Sequence, residues 1–133
     1  MMLPVSALLQ KALTATMLSG GNLQSIVQTL FDRFGNSVAI YNDFFSSFVL
    51  ACSEQRRESI TRRMENLVRT GSSGKETVSL MSSREVDSID GLICNKIIIP
   101  IYSDKKKYGS IYIWEDNREI TGVDLAVLEA STS

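Results

Sequence analysis

The chain reads as an α+β domain built around antiparallel hairpins, and three observations predict it. Lys96-Ile-Ile-Ile-Pro-Ile-Tyr102 and Tyr108-Gly-Ser-Ile-Tyr-Ile-Trp114 are β-branched and aromatic runs joined by Asp104, lysines and a glycine, the pattern of a hairpin. Leu23, Ile26, Val27, Leu30, Phe31 and Phe34 recur three or four apart, the stripe of an amphipathic helix. Along the chain the elements fall in the order helix, helix, hairpin, helix, hairpin, helix. At 133 residues there is room for one domain, long enough to bury roughly two thirds of its unfolded surface.

The elements follow in order. Over residues 1–19, Val5, Leu8, Leu9, Ala12, Leu13 and Met17 lie on one helical face, and Gly20-Gly21 ends that helix. Asn22 can cap the second helix, 22–34, and Gly35 stands where a left-handed cap closes it. Ser37-Val-Ala-Ile-Tyr41 and Phe48-Val-Leu-Ala-Cys52 flank the turn residues Asn42-Asp-Phe-Phe-Ser-Ser47, giving a first hairpin over 37–52. Ile60, Met64, Leu67 and Val68 make a narrow stripe on a helix over 53–70, which predicts a helix lying on a surface. Residues 71–92 are rich in Ser, Gly and Asp and predict a long loop, Gly71-Ser-Ser-Gly74 being a flexible linker. The second hairpin spans 93–115. Thr121 and Asp124 resemble a capping box, with Ile120 placed to pack on Leu125, and open a final helix over 121–131 whose apolar face barely begins, so that a fragment of a longer protein is expected.

Composition removes several function classes. Apolar residues make up 44% and charged residues 22%, ordinary for a soluble globular protein. The net charge of −1 gives no general attraction to nucleic acid or anionic lipid. There is no histidine, so the commonest general base and metal ligand is missing, and catalysis would rest on carboxylates, lysine or cysteine. Cys52 and Cys94 sit inside apolar runs, which suits neither a disulfide framework nor a zinc site; no metal and no cofactor is expected. Residues 1–19 lack a leading basic segment and are interrupted by Gln10 and Lys11, unlike a signal peptide. No run approaches the roughly 18 apolar residues of a membrane span, and the protein is expected to be cytoplasmic.

The ordered set of elements resembles a GAF domain, and more narrowly the N-terminal sensory domain of bacterial transcriptional regulators of the PucR, CdaR and CodY type. The residues carrying the resemblance are the helix from Asn22 to Phe34, Gly35-Asn-Ser-Val-Ala-Ile-Tyr41, the return through Val49-Leu-Ala51, and Ile97-Ile-Ile-Pro-Ile101. Tyr108-Gly-Ser-Ile-Tyr-Ile113 and Ile120-Thr-Gly-Val-Asp-Leu125 complete the set. The resemblance implies a GAF/PAS-like central antiparallel sheet with the terminal helices and the 22–34 helix on one face. The 53–70 helix and the following loop would cover the other face, with a ligand between cover and sheet. It also implies a non-enzymatic sensor whose metabolite orders residues 71–92 and shifts the terminal helices, and a homodimer through those helices. DNA binding would belong to a further region, since no helix-turn-helix fits after residue 121.

Within that frame Tyr41, Ile99 and Tyr112 are candidate pocket-wall residues, ordinary core being the other reading. Arg63 and Met64, on the covering helix, are candidates to clamp an anionic group and to adapt to an apolar one. The arginines between 56 and 69 are interleaved with Glu54, Glu58 and Glu65, which fits pairing within the helix better than a nucleic-acid patch. Two rival functions remain at this stage: a structural dimerisation module, and a thiol redox enzyme of the kind that reduces methionine sulfoxide with Cys52 and Cys94. Thiol chemistry asks for accessible, low-pKa cysteines, and both lie on predicted strands.

Overall fold

A computed structural model describes residues 22–43, 45–70, 83–103 and 106–121. The helix expected over 1–19, residues 71–82 of the expected loop, and all but Thr121 of the helix expected over 121–131 lie outside them.

Helix α1, Leu23–Phe34, starts where the Asn22 side chain accepts from Ser25 N and ends where Gly35 turns left-handed at φ 74°. Strands β1 (Val38–Asn42) and β2 (Ser47–Ala51) form an antiparallel hairpin, its turn held by Asn42 Oδ1 accepting from Phe45 N at 3.2 Å. Helix α2 spans Glu54–Thr70. Three strands follow: β3 (Ser83–Ile89), β4 (Leu92–Ser103) and β5 (Lys106–Trp114). All pairings are antiparallel, and the sheet order is β2-β1-β5-β4-β3. The chain is therefore α+β, with α2 carrying it from one edge of the sheet to the other.

The 71–92 loop expected from sequence is corrected in its second half. Residues 83–89 form the edge strand β3, and Leu92 already belongs to β4. Ser83-Arg-Glu-Val-Asp-Ser88 lacks the apolar alternation that marks a half-buried strand; its charges are met instead by partners from the neighbouring strand, from α2 and from the residue after β5: Glu85 by Lys96, Asp87 by Arg63 and Lys96, and Arg84 by Glu115. The turn Asp90-Gly91 has positive φ at both positions, 54° and 80°, the backbone of a tight hairpin whose twist suits the flanking strands. Pro100 and Gly109, residue types that commonly interrupt strand pairing, behave differently from one another. Pro100 is in register with Ser110, whereas the shift falls between Ile101 (opposite Gly109) and Tyr102 (opposite Lys107), leaving Tyr108 as the extra residue.

Strand alternation divides the interior into two cores. α1 lays Val27, Leu30 and Phe34 against β1 and β2, over Val38, Ile40, Ile97, Ile99, Ile101, Ile111 and Ile113. On the opposite face Ile60 and Met64 of α2, both fully buried, meet Ala39, Tyr41, Leu50, Ile89, Tyr112 and Trp114. A sheet covered on both faces needs apolar residues at consecutive positions, which explains the uninterrupted Val38-Ala-Ile-Tyr41 and Ile97–Ile101 runs.

Candidate functional site

The α2 face of the sheet gathers most of the side chains that could meet a ligand. Tyr41 and Tyr112 are 3% and 7% exposed, and Met64 is fully buried against the same group. Ile99 is not with them. It pairs with Ile111 and lies in the α1-side core, while Ile98, paired with Tyr112, takes the α2 side. A one-residue difference in parity moves a side chain to the other face, and an all-isoleucine run gives no hint of it.

Arg63 reaches the sheet from α2. Its Nη1 donates to Asp87 Oδ1 at 2.5 Å and its Nη2 donates to the Ser88 carbonyl. Asp87 also accepts from Trp114 Nε1 at 2.9 Å and from Ser88 N at 2.8 Å, with Lys96 Nζ 3.7 Å away. Burial alone would raise the Asp87 carboxyl, but the Trp114 indole, Arg63, the Ser88 amide and Lys96 outweigh it and hold the group below its ordinary value. Trp114 stacks on Tyr112 with centroids 6.1 Å apart, and Lys96 sits 5.7 Å from the Tyr112 ring centre. Tyr112 is pushed up to about 12, chiefly by burial, so its phenol stays protonated at neutral pH. The line from Arg63 through Asp87 and Trp114 to Tyr112 thus joins a charged rim to an aromatic floor.

Beside that rim lies a cleft of about 300 Å³ between α2 and the β3–β4 turn, lined by Ser59, Arg62, Arg63, Asn66, Ile89 and Asp90 among others. Its polar groups are mutually satisfied: Ser59 Oγ donates to Asp90, Arg62 pairs with Glu58 at 2.5 Å, and Arg69 donates to Asn66. The expectation that the α2 arginines pair within their own helix holds for Arg57 and Arg62, with Glu54 and Glu58. Arg56 and Arg63 instead leave the helix and bind the rest of the domain.

A second polar region was not foreseen. Residues 115–120 follow β5 without regular structure, yet many of their polar groups are hydrogen-bonded. Glu115 is ion-paired with Arg84, whose Nε stands 2.9 Å from Oε1 and whose Nη2 donates to Oε2 at 3.2 Å; Glu115 also accepts from Ile120 N at 2.6 Å, and Arg84 Nη2 donates to Ile120 O at 2.7 Å. Asp116 accepts from Ser37 N at 3.0 Å and Ser37 Oγ at 2.5 Å, and Arg56 Nε stands 3.3 Å from it. Asn36, fully buried, accepts from Asn117 N and Arg118 N and donates to Arg118 O. The run Glu115-Asp-Asn-Arg-Glu119 reads in sequence as an ordinary polar loop, and several of its hydrogen-bond partners lie 31 to 83 positions away.

The two cysteines and Asp87 are not activated for nucleophilic attack or proton transfer. Burial raises both the Cys52 and the Cys94 thiol, the reverse of an activated cysteine, and Asp87 is ionised and fully engaged. Among the described residues no cluster of three or more His, Cys, Asp or Glu side chains is placed to hold a metal ion, and no helix is long and apolar enough to cross a membrane. What the α2 face carries is an apolar, aromatic surface with a charged edge. Comparison with family models, curated proteins and solved structures finds no match for this chain.

Proposed function

We propose that the chain is a non-enzymatic, GAF-like sensory domain of a bacterial transcriptional regulator that takes a small metabolite between α2 and the sheet. The observation that carries this reading is the unequal covering of the two sheet faces. α1 closes one chiefly with aliphatic side chains and the ring of Phe34, whereas α2 brings Arg63 and Met64 over a face floored by Tyr41, Tyr112 and Trp114 and edged by Lys96 and Asp87. Aromatic floors with a few convergent polar groups are the usual make-up of small-ligand sites. Ile99, on the α1 side, drops out of the proposed contact set, and Ile98 takes its place. Signalling would follow from a shift in the population of α2 positions passed to the chain ends. The homodimer through the terminal helices involves residues 1–19 and 121–131 and belongs to the same proposal.

The test is a thermal-shift screen with amino acids, purines, nucleotides and small carboxylates. A metabolite at one hundred times its dissociation constant should stabilise the domain by about 2.7 kcal/mol. Tyr112→Phe should then weaken that metabolite's binding, while Ile99→Val lowers stability and leaves affinity unchanged. A screen with no stabilisation, or a ligand as sensitive to Ile99→Val as to Tyr112→Phe, would remove the reading. The thiol-enzyme alternative draws no support from two cysteines whose burial raises them.

A further inference from the structure

The covering helix and the segment through which the chain leaves the sheet are joined by one side chain. Arg56, in the first turn of α2, is 20% exposed and stands between two carboxylates, Asp116 at 3.3 Å and Asp90 at 3.6 Å. Asp90 belongs to the β3–β4 turn that rims the α2 cleft, and Asp116 to the segment that ends at Ile120. Asp116 is only 5% exposed and also fixes the backbone of Ser37, between α1 and β1. Displacing α2 by a fraction of a helical turn must therefore stretch or break the bond to Asp116. A carboxylate this buried does not tolerate the loss of its cation without local rearrangement.

We propose that Arg56 is a coupling latch: movement of α2 is transmitted through Arg56 and Asp116 to residues 115–120, and so to the chain that continues past Thr121. The proposal rests on the reading of α2 as the ligand cover and supplies its route of regulation. Two features of the geometry favour a latch over a simple brace. The segment has no helix or sheet of its own to resist displacement, so its conformation is set by its polar partners and the buried Ile120 side chain. In addition, the Asp116 and Glu115 bonds close on adjacent residues, so loosening one strains the clasp around Ile120, whose side chain is 1% exposed in the α1-side core.

Amide hydrogen exchange on the full chain tests this without any ligand. Met64→Ala perturbs α2 from beneath, and the amides of Ser37, Arg118 and Ile120, which are bonded to side chains of the network, report on the latch. The amides of Ile40 and Ile111, in paired central strands, report global opening. With Arg56 present, Met64→Ala should speed exchange at the latch amides about tenfold beyond any change at Ile40 and Ile111, equivalent to ~1.4 kcal/mol of local opening. In an Arg56→Met background that excess should vanish, because the latch is already open. Arg56→Lys, which keeps the charge on a single donor group, should give an intermediate value and covers the case in which Arg56→Met does not fold. An excess of equal size with and without Arg56, or no excess with it, overturns the latch. Because no metabolite is added, a blank ligand screen beside an intact excess would count against the sensory reading alone.

Discussion

Replacing Arg84 by methionine is the sharpest test of what holds the 115–120 segment. Arg84 and Glu115 are 10% and 5% exposed and lie 2.9 Å apart. Removing the cation leaves a carboxylate with little water and only the Ile120 amide to bond it. Breaking one side of a pair buried to this degree costs about 3–5 kcal/mol, a large part of the 5–15 kcal/mol that domains of this size have in total. Removing both charges with Arg84→Met and Glu115→Leu should recover most of that loss, because no uncompensated charge remains. The residual deficit is about 1–2 kcal/mol, from the Ile120 N–H and C=O left without their side-chain partners. Arg62→Met provides the reference: its pair with Glu58 is 70% and 83% exposed and contributes at most about 1 kcal/mol. Urea denaturation of these three variants, of Glu115→Leu alone and of the wild type, with m-values compared, reads the cycle. If Arg84→Met costs no more than Arg62→Met, or the double variant is no more stable than the single one, the segment is not held by this pair.

Gly35→Ala should cost more than Gly91→Ala by about 1 kcal/mol in the same assay: both glycines have positive φ, but only at Gly35 would the new Cβ fall 2.5 Å from Asn117 Nδ2 and displace its bond to Phe34 O. Adding Asn117→Ala should bring the two glycine variants level. Asp87, held below its ordinary 3.8, contributes stability that is present above that value and is lost as pH falls through its lower folded value; Asp87→Asn should flatten that part of the acid limb of stability against pH. An acid limb unchanged by Asp87→Asn would show that the carboxylate is not favoured in the fold. Iodoacetamide at neutral pH should modify Cys94 slowly and Cys52 only on unfolding, since both thiols are raised by burial and Cys52 is 6% exposed; rapid modification of either would revive thiol chemistry.

Elements whose signals are local were legible. α1 shows an apolar stripe, a capping Asn22 and a Gly35 that only a left-handed cap requires, all within the helix itself. β4 and β5 are β-branched because both faces are covered. β3 was hidden because its stabilising partners, Lys96, Arg63 and Glu115, come from three other parts of the chain; its one local sign was the Asp90-Gly91 turn, a strong hairpin dipeptide. The site shows the same limit. Tyr41, Tyr112, Met64 and Arg63 share the α2 side, but the choice between Ile98 and Ile99 depends on which of them stands opposite Tyr112 in the register with β5. No pattern within Ile97–Ile101 encodes that. The buried charges of residues 115–120 are legible only as composition, because burial of a carboxylate is decided by the cation that arrives from elsewhere.

The two kinds of interaction divide the domain in a way that bears on how it would work. Under the middle of α2 the contacts are apolar and adaptable, with an unbranched methionine and ring faces, and it is here that the proposed metabolite would enter by repacking. At the edges of α2 and after β5 the contacts are charged, directional and partly buried, and they either hold or break. A helix with a soft centre and stiff fastenings does not yield gradually when something enters beneath it. It stays in place until a fastening gives, and the fastening with the more buried carboxylate, Arg56 to Asp116 rather than Arg56 to Asp90, is the one whose release would be felt beyond the helix. On the proposed reading, substitutions under α2 should weaken ligand binding, whereas Arg56→Met, which removes a bond that entry must break, should leave binding as tight or tighter while uncoupling it from the chain past Thr121.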